Sequence, residues 1–400
     1  MLSYGYLLDL ALILLSTKLL GIITKKFKMP QVVGALLAGL IFGPAMLNIL
    51  KETNFIIQLS ELGVILLMFS AGLDTDLNEL KKTGKASFII ALFGVLIPLI
   101  GGFLVAYLFS DLDLMKEATT NVLLQNIFIG VILTATSVSI TVEALKEMGK
   151  LNTSAGTAIL GAAIIDDILG IIALTIISSM ADTSVNVGFV LLKIVAYFIF
   201  VIVIGITSHK AFDIWMKYEN RDRRRFITAA LVFCLLLSYV SEEIFGVADI
   251  TGAFIAGLII SNNKKSEYID SRFETLSYML LSPIFFASIG IRVEITGMNL
   301  DTIIFTVVLL IIAILTKIIG CALGAKLCKY SIHESVQIGA GMVSRGEVAL
   351  IVANKGIAVS LINSSFLTPI VIVVVITTVI TPILLEIAFS KEKKVDELLE

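Results

Sequence analysis

The chain is short of histidine, cysteine and charge, and each scarcity excludes something. Its 400 residues include two histidines, His209 and His333. Both fall in polar stretches between apolar runs, so a metalloenzyme built on imidazole ligands is excluded. The three cysteines, Cys234, Cys321 and Cys328, lie in or beside apolar runs. They read as small core residues, with no disulfide framework. Charged residues are 16% of the chain and hydrophobic residues 58%, with a mean hydropathy of +1.01. A soluble domain is about a quarter charged and about half apolar. The opening Met1-Leu-Ser-Tyr lacks the basic region of a cleaved signal peptide, so the first apolar run is expected to be retained. No low-complexity linker and no appended soluble domain is expected.

What the chain has is long apolar runs. They predict an all-α polytopic membrane protein of about thirteen transmembrane helices, at 4–24, 31–49, 55–73, 86–109, 123–145, 154–179, 187–208, 226–241, 247–261, 275–290, 302–325, 335–362 and 366–389. Basic residues agree with that count. Alternate loops, starting after the first span, collect 22 Lys and Arg, and the other side collects 3. The positive-inside rule then places the N-terminus outside and the C-terminus in the cytoplasm. The basic run Arg221–Arg225 reads as a topology anchor at an anionic leaflet, not as a nucleic-acid site.

The chain also repeats itself. Gly34-Ala-Leu-Leu-Ala-Gly-Leu-Ile41 matches Gly252-Ala-Phe-Ile-Ala-Gly-Leu-Ile259 at an offset of 218. The same offset lays Gly72–Leu77 over Gly290–Ile295. Spans 2–6 and 9–13 become two units, seven spans apart and so of opposite topology. Inverted repeats of this kind mark secondary transporters.

Two adjacent carboxylates, Asp166 and Asp167, sit inside the sixth apolar run. Each is about twelve residues, or roughly 18 Å, from a span end. A charge near the midplane costs between about 2.5 and 17 kcal/mol, so a functional role is expected. The preceding span carries Thr134, Thr136, Ser137, Ser139 and Thr141. These hydroxyls mark a helix break, or they bond back to their own helix. Offset 218 maps Thr136 and Ser137 onto Asn354 and Lys355, where Gly356 would support a second break. Interrupted helices at matching positions point to a transport site.

Lys317 lies roughly 13 Å inside the eleventh span, too deep to snorkel easily. A buried partner is expected, and Asp166 or Asp167 is the candidate. Lys18 and Lys193 lie closer to span ends and read as snorkelling. Arg345 and Glu347 are two apart and do not face each other on a helix. Arg345 is expected to meet a carboxylate or freed carbonyls, and Glu347 a basic residue. Intramembrane aspartyl proteolysis needs two carboxylates converging on one water. Helix neighbours about 100° apart do not easily share one, and no second Asp stands at matching depth on another span.

These residues resemble a known family. Ala162-Ala-Ile-Ile-Asp-Asp-Ile-Leu-Gly170, the Thr-Ala-Thr-Ser-Val-Ser run, the Lys317 span and Ser344-Arg-Gly-Glu-Val348 are similar to those of monovalent cation:proton antiporters, in the branch of the NapA and Kef-type proteins. The resemblance implies two inverted repeats with crossing discontinuous helices. It implies that Asp167 binds the cation and the proton, and that Asp166 pairs with Lys317. From the residues themselves, Thr134, Thr136 and Ser137 are expected to complete the Na+ site, and Lys317, Asn354, Lys355, Arg345 and Glu347 to compensate charge. A homodimer is implied, with a scaffold domain at 1–79 and 183–300, a mobile core at 80–182 and 301–390, and a cytoplasmic tail at 391–400. The cytoplasmic nucleotide-binding domain of Kef-type systems is not expected.

The expected function is exchange of Na+ or Li+ for H+ across a prokaryotic inner membrane, by alternating access and with net charge movement. It needs no cofactor and is not an enzyme activity. The alternative is K+/H+ exchange of the Kef type. An uncoupled cation channel and an organic-anion symporter are rival classes.

Overall fold

The computed structural model describes residues 4–27, 29–110, 121–181, 186–218, 224–261, 263, 265–293 and 298–396. Among these the chain forms sixteen α-helices and no strand. They are α1 (Gly5–Lys26), α2 (Gln31–Phe42), α3 (Asn54–Asp74), α4 (Leu77–Leu108), α5 (Val122–Thr134), α6 (Val138–Glu147), α7 (Ser154–Ala181) and α8 (Val187–Tyr218). The second half holds α9 (Arg224–Tyr239), α10 (Asp249–Ser261), α11 (Ser266–Leu276), α12 (Ser282–Ile291), α13 (Leu300–Leu327), α14 (Ile332–Gly341), α15 (Glu347–Ala358) and α16 (Leu367–Asp396).

Local chemistry sets many of the ends. Thr53, Asp76, Asn121 and Asn299 each cap a helix N-terminus with a side-chain oxygen. Ser331 and Glu334 close a capping box on α14. Such caps satisfy N–H groups that the first turn leaves without partners.

Among the described residues, ten helical segments are long and apolar enough to cross a membrane, Val122–Glu147 and Ser266–Ile291 counted as one each. Gln31–Phe42, Asp249–Ser261 and Val348–Ala358 are shorter apolar helices. The polytopic all-helical class is therefore observed. Two expected boundaries shift. The tenth span begins at Ser266, because α11 carries Glu267, Asp270, Arg272 and Glu274 and its hydropathy hides it. It joins α12 through a π-helical turn, Ser277–Leu281. The eighth continues past Tyr239 through another π-turn, Val240–Phe245.

The helices pack in two groups. α4 lies against α13, α5 and α7, and α14 against α13 and α16. Separately, α2 packs on α1 and α12, and α3 on α10. Small residues allow the close approaches in the second group. A Cβ on Gly39 would meet the Ala287 carbonyl, and one on Gly290 would meet Leu36 and Leu40. Likewise a Cβ on Gly257 would meet Phe69 and Leu73, and one on Gly72 would meet Phe254 and Leu258. Offset 218 exchanges these contacts: Gly39 with Gly257, Gly72 with Gly290, and Leu36 with Phe254.

Two spans are broken. The first opens at Ala135-Thr136-Ser137, between α5 and α6. The second opens at residues 342–346, between α14 and α15. This corrects the expectation of a break at Asn354-Lys355-Gly356. Those three residues lie inside α15, and the facing pair at the breaks is Ser137 with Ser344. The cause is a difference in the length of chain between the flanking helices. Residues 109–121 join α4 to α5, whereas only 328–331 join α13 to α14. The 218 register is lost across that step.

Candidate ion-binding site

The two breaks supply each other's backbone partners. Ser137 donates its N–H to the Ser344 carbonyl at 2.8 Å, and Ser344 Oγ donates to the Ser137 carbonyl at 2.6 Å. Thr141 Oγ1 donates to the Gly341 carbonyl at 2.6 Å. In hydrocarbon a broken helix is tolerated only where such groups are met inside the protein. Gly346 is required here, because a Cβ would come within 2.6 Å of Ser137 Oγ.

Lys317, on α13, is fully buried and reaches this crossing. Its Nζ donates to Asp166 Oδ1 at 2.9 Å, to the Gly94 carbonyl at 2.9 Å and to the Thr134 carbonyl at 2.7 Å. Those three bonds use the whole donor capacity of an ammonium group. Thr136 Oγ1 donates to the other carboxylate oxygen, Asp166 Oδ2, at 2.6 Å. Asp167 follows on α7 and is 6% exposed.

Arg345 occupies the second break and is 1% exposed. It donates to the carbonyls of Val343 at 3.1 Å, Leu133 at 2.8 Å and Ala313 at 3.0 Å. The expected partner class was a carboxylate or freed carbonyls, and the carbonyls are what it meets. Thr378 Oγ1 donates to the Arg345 carbonyl and ties α16 to the same place. Together Lys317 and Arg345 bring two cations to the carbonyl end of α5, where the helix dipole is negative.

The expected residues divide accordingly. Asp166, Thr136, Ser137, Lys317 and Arg345 meet at the crossing, and Asp167 is adjacent. Thr134 contributes its carbonyl, not its hydroxyl, which bonds back to the Val131 carbonyl at 2.7 Å. Asn354 and Lys355 are exposed on α15, away from the break. Glu347 begins α15, and its side chain lies outside the described part. Gly94, Ala313 and Thr378 were not foreseen. Two of them act through backbone carbonyls, which carry no residue signature. Ser344 was legible only as part of the Ser-Arg-Gly-Glu motif.

Among the described residues, no group of three or more His, Cys, Asp or Glu is placed to hold a metal ion. A cation here would be held by carboxylate, hydroxyl and carbonyl oxygens, which suit a hard ion. A cavity of about 630 Å³ reaches Gly346 at the second break and is lined by Ser60, Glu61, Glu242, Asp249 and Asn354 as well.

Similarity to known proteins agrees with this architecture. The chain is 40% identical over 393 residues to the Na(+)/H(+)-K(+) antiporter GerN of Bacillus cereus, covering 98% of each chain. It is 42% identical to the probable Na(+)/H(+) antiporter GerT of Bacillus cereus, over 94% of this chain and 98% of that one. It is 37% identical to a Na(+)/H(+) antiporter of Enterococcus hirae, over 94% and 96%. The solved structure of the sodium proton antiporter MjNhaP1 of Methanocaldococcus jannaschii superposes with a TM-score of 0.66 at 22% identity, over 96% and 94% of the chains, and shows a shared fold. The profile described as sodium/hydrogen exchanger, transmembrane, matches residues 11–391, and the chain belongs to that family.

Proposed function

We propose that this protein is a secondary antiporter exchanging Na+, or Li+, for H+ by alternating access. The observation that carries the reading is the Asp166–Asp167 step facing Lys317 where two broken helices cross. Asp166 is committed to Lys317 and Thr136. Asp167 is therefore assigned the cation and the proton, with Asp166 as its neighbour in the site. A bare carboxylate at this depth is costly, and either ligand relieves that cost. The core then crosses only when loaded, and competition for the same oxygens couples the two fluxes without a nucleotide. Sodium reaching Asp167 weakens the Asp166–Lys317 pair. Lys317 then releases a second proton, and the cycle carries net charge.

Sodium is favoured by the names of the relatives, all of which carry Na(+)/H(+). One of those names also carries K+, so K+/H+ exchange is the second reading. The moving core is assigned to residues 80–182 and 301–390, and the scaffold of a homodimer to 1–79 and 183–300. The packing groups support that division. The exchange of glycine contacts by offset 218 supports an inverted repeat and a thirteen-span count. The basic-residue split supports an external N-terminus and a cytoplasmic C-terminus in the inner membrane.

Proteoliposomes with imposed pH gradients test the reading. Sodium and lithium are expected to collapse the gradient more effectively than potassium. Saturable cation flux with no proton movement would overturn it.

A further inference from the structure

Two neighbouring residues at the end of α6 hold that half-helix to the other packing group. Lys146 Nζ lies 2.9 Å from Asp74 Oδ2, 2.8 Å from Ser70 Oγ and 3.9 Å from Asp270 Oδ1. Ser70 donates in turn to Asp270. Ser70 and Asp74 are on α3, and Asp270 is on α11. Glu147 takes a different target. It accepts from the backbone N–H groups of Gln31 at 2.9 Å and Val32 at 3.5 Å. These open α2, whose N-cap is Pro30 and which has no capping side chain of its own. Helix-end electrostatics explain both choices. The cation sits at the C-terminus of α3, and the carboxylate at the N-terminus of α2.

The opposite end of α3 borders the large cavity, through Ser60 and Glu61. Ser60 and Asp74 are separated by roughly 21 Å along the helix. At the cavity end the two groups of helices stand apart by about 630 Å³, with Gly346 and Val348 on the far wall. At the Lys146 end the spaces are about 40 Å³ and 140 Å³. One end of the interface is open, and the other is bridged.

We infer that Lys146 and Glu147 form a latch that must release whenever the α4–α7 and α13–α16 group moves to open the Lys146 end. The inference rests on the antiporter reading. α6 starts just after Ser137, its N-cap residue inside the crossing, and ends at the latch, roughly 15 Å away. Any shift of the crossing relative to α2 and α3 therefore moves Lys146 and Glu147 with it. The latch is releasable because it is partly hydrated: the side chains of Lys146 and Asp74 are 21% and 30% exposed. Water already reaches these groups, unlike the Asp166–Lys317 pair, whose side chains are 1% and 0% exposed.

Cysteine accessibility tests the latch in protein whose native cysteines are replaced. Leu350→Cys reports on the cavity and Ser277→Cys on the bridged end, each labelled with a small charged methanethiosulfonate. Lys146→Ala is expected to raise labelling at 277 several-fold and to lower it at 350, and Lys146→Arg to leave both rates unchanged. Equal labelling with and without Lys146 would overturn the latch. A second arm covers a variant that fails to fold. Ser70→Cys with Lys146→Cys, bridged by a bis-methanethiosulfonate, is expected to stop exchange until reductant is added. A bridged protein that exchanges as fast as the reduced one would also overturn it. If the unmodified protein does not exchange, the antiporter reading fails, while the labelling rates still decide the latch.

Discussion

Asp166 and Asp167 share a sequence step but have different surroundings, and substitutions should separate them. Asp166→Asn leaves the fully buried Lys317 charge without its counter-ion. Breaking a buried pair from one side costs about 3–5 kcal/mol. The variant should unfold well below the unmodified protein in a thermal melt in detergent. Asp167→Asn leaves the Lys317 bonds in place and should keep the melting temperature. Lys317→Gln leaves only Asp167 to titrate, so exchange should become electroneutral or fail. Measuring transport against membrane potential decides this, and an electrogenic Lys317→Gln protein would remove the proton-carrier role. A counter-charge for Lys317 was legible in the sequence as Asp166 or Asp167, because a lysine that deep needs one, and only the family resemblance singled out Asp166. The Arg345 partners were legible only as a class, because main-chain carbonyls leave no mark on residue type.

The elements show where sequence reasoning holds and where it slips. The first break was readable from a crowd of hydroxyls at Thr134–Thr141. The second was expected at Asn354–Lys355 and lies at 342–346, because a register set on α2 and α10 was carried across connections of unequal length. Within the glycine-rich helices the register holds, so Gly39 and Gly257 should respond alike. A Cβ at Gly39 would come within 1.9 Å of the Ala287 carbonyl, and one at Gly257 within 2.2 Å of the Phe69 carbonyl. Overpacking of this kind costs about 1–3 kcal/mol. Gly39→Ala and Gly257→Ala should lower thermal stability by similar amounts. A large effect from one and none from the other would break the proposed equivalence. The polar helix α11 escaped the hydropathy reading because Glu267, Asp270, Arg272 and Glu274 lower its mean hydropathy; of these, Asp270 meets Lys146 and Ser70 across the helix interface.

At the scale of the whole molecule, the all-helical membrane class was fixed by apolar content and span spacing. The family was legible in four short motifs. The cavity and the bridged end were not, because they depend on how two groups of helices sit together. Orientation rests on the basic-residue split. Val395→Cys in intact cells should resist an impermeant thiol reagent added outside, and efficient labelling would reverse the assignment. The central claim is that one carboxylate, Asp167, carries both the cation and the proton. The direct measurement is sodium-driven proton movement in proteoliposomes holding unmodified or Asp167→Asn protein at equal folded amounts. The account predicts exchange in the first and none in the second. Normal sodium-driven proton movement by Asp167→Asn would contradict it.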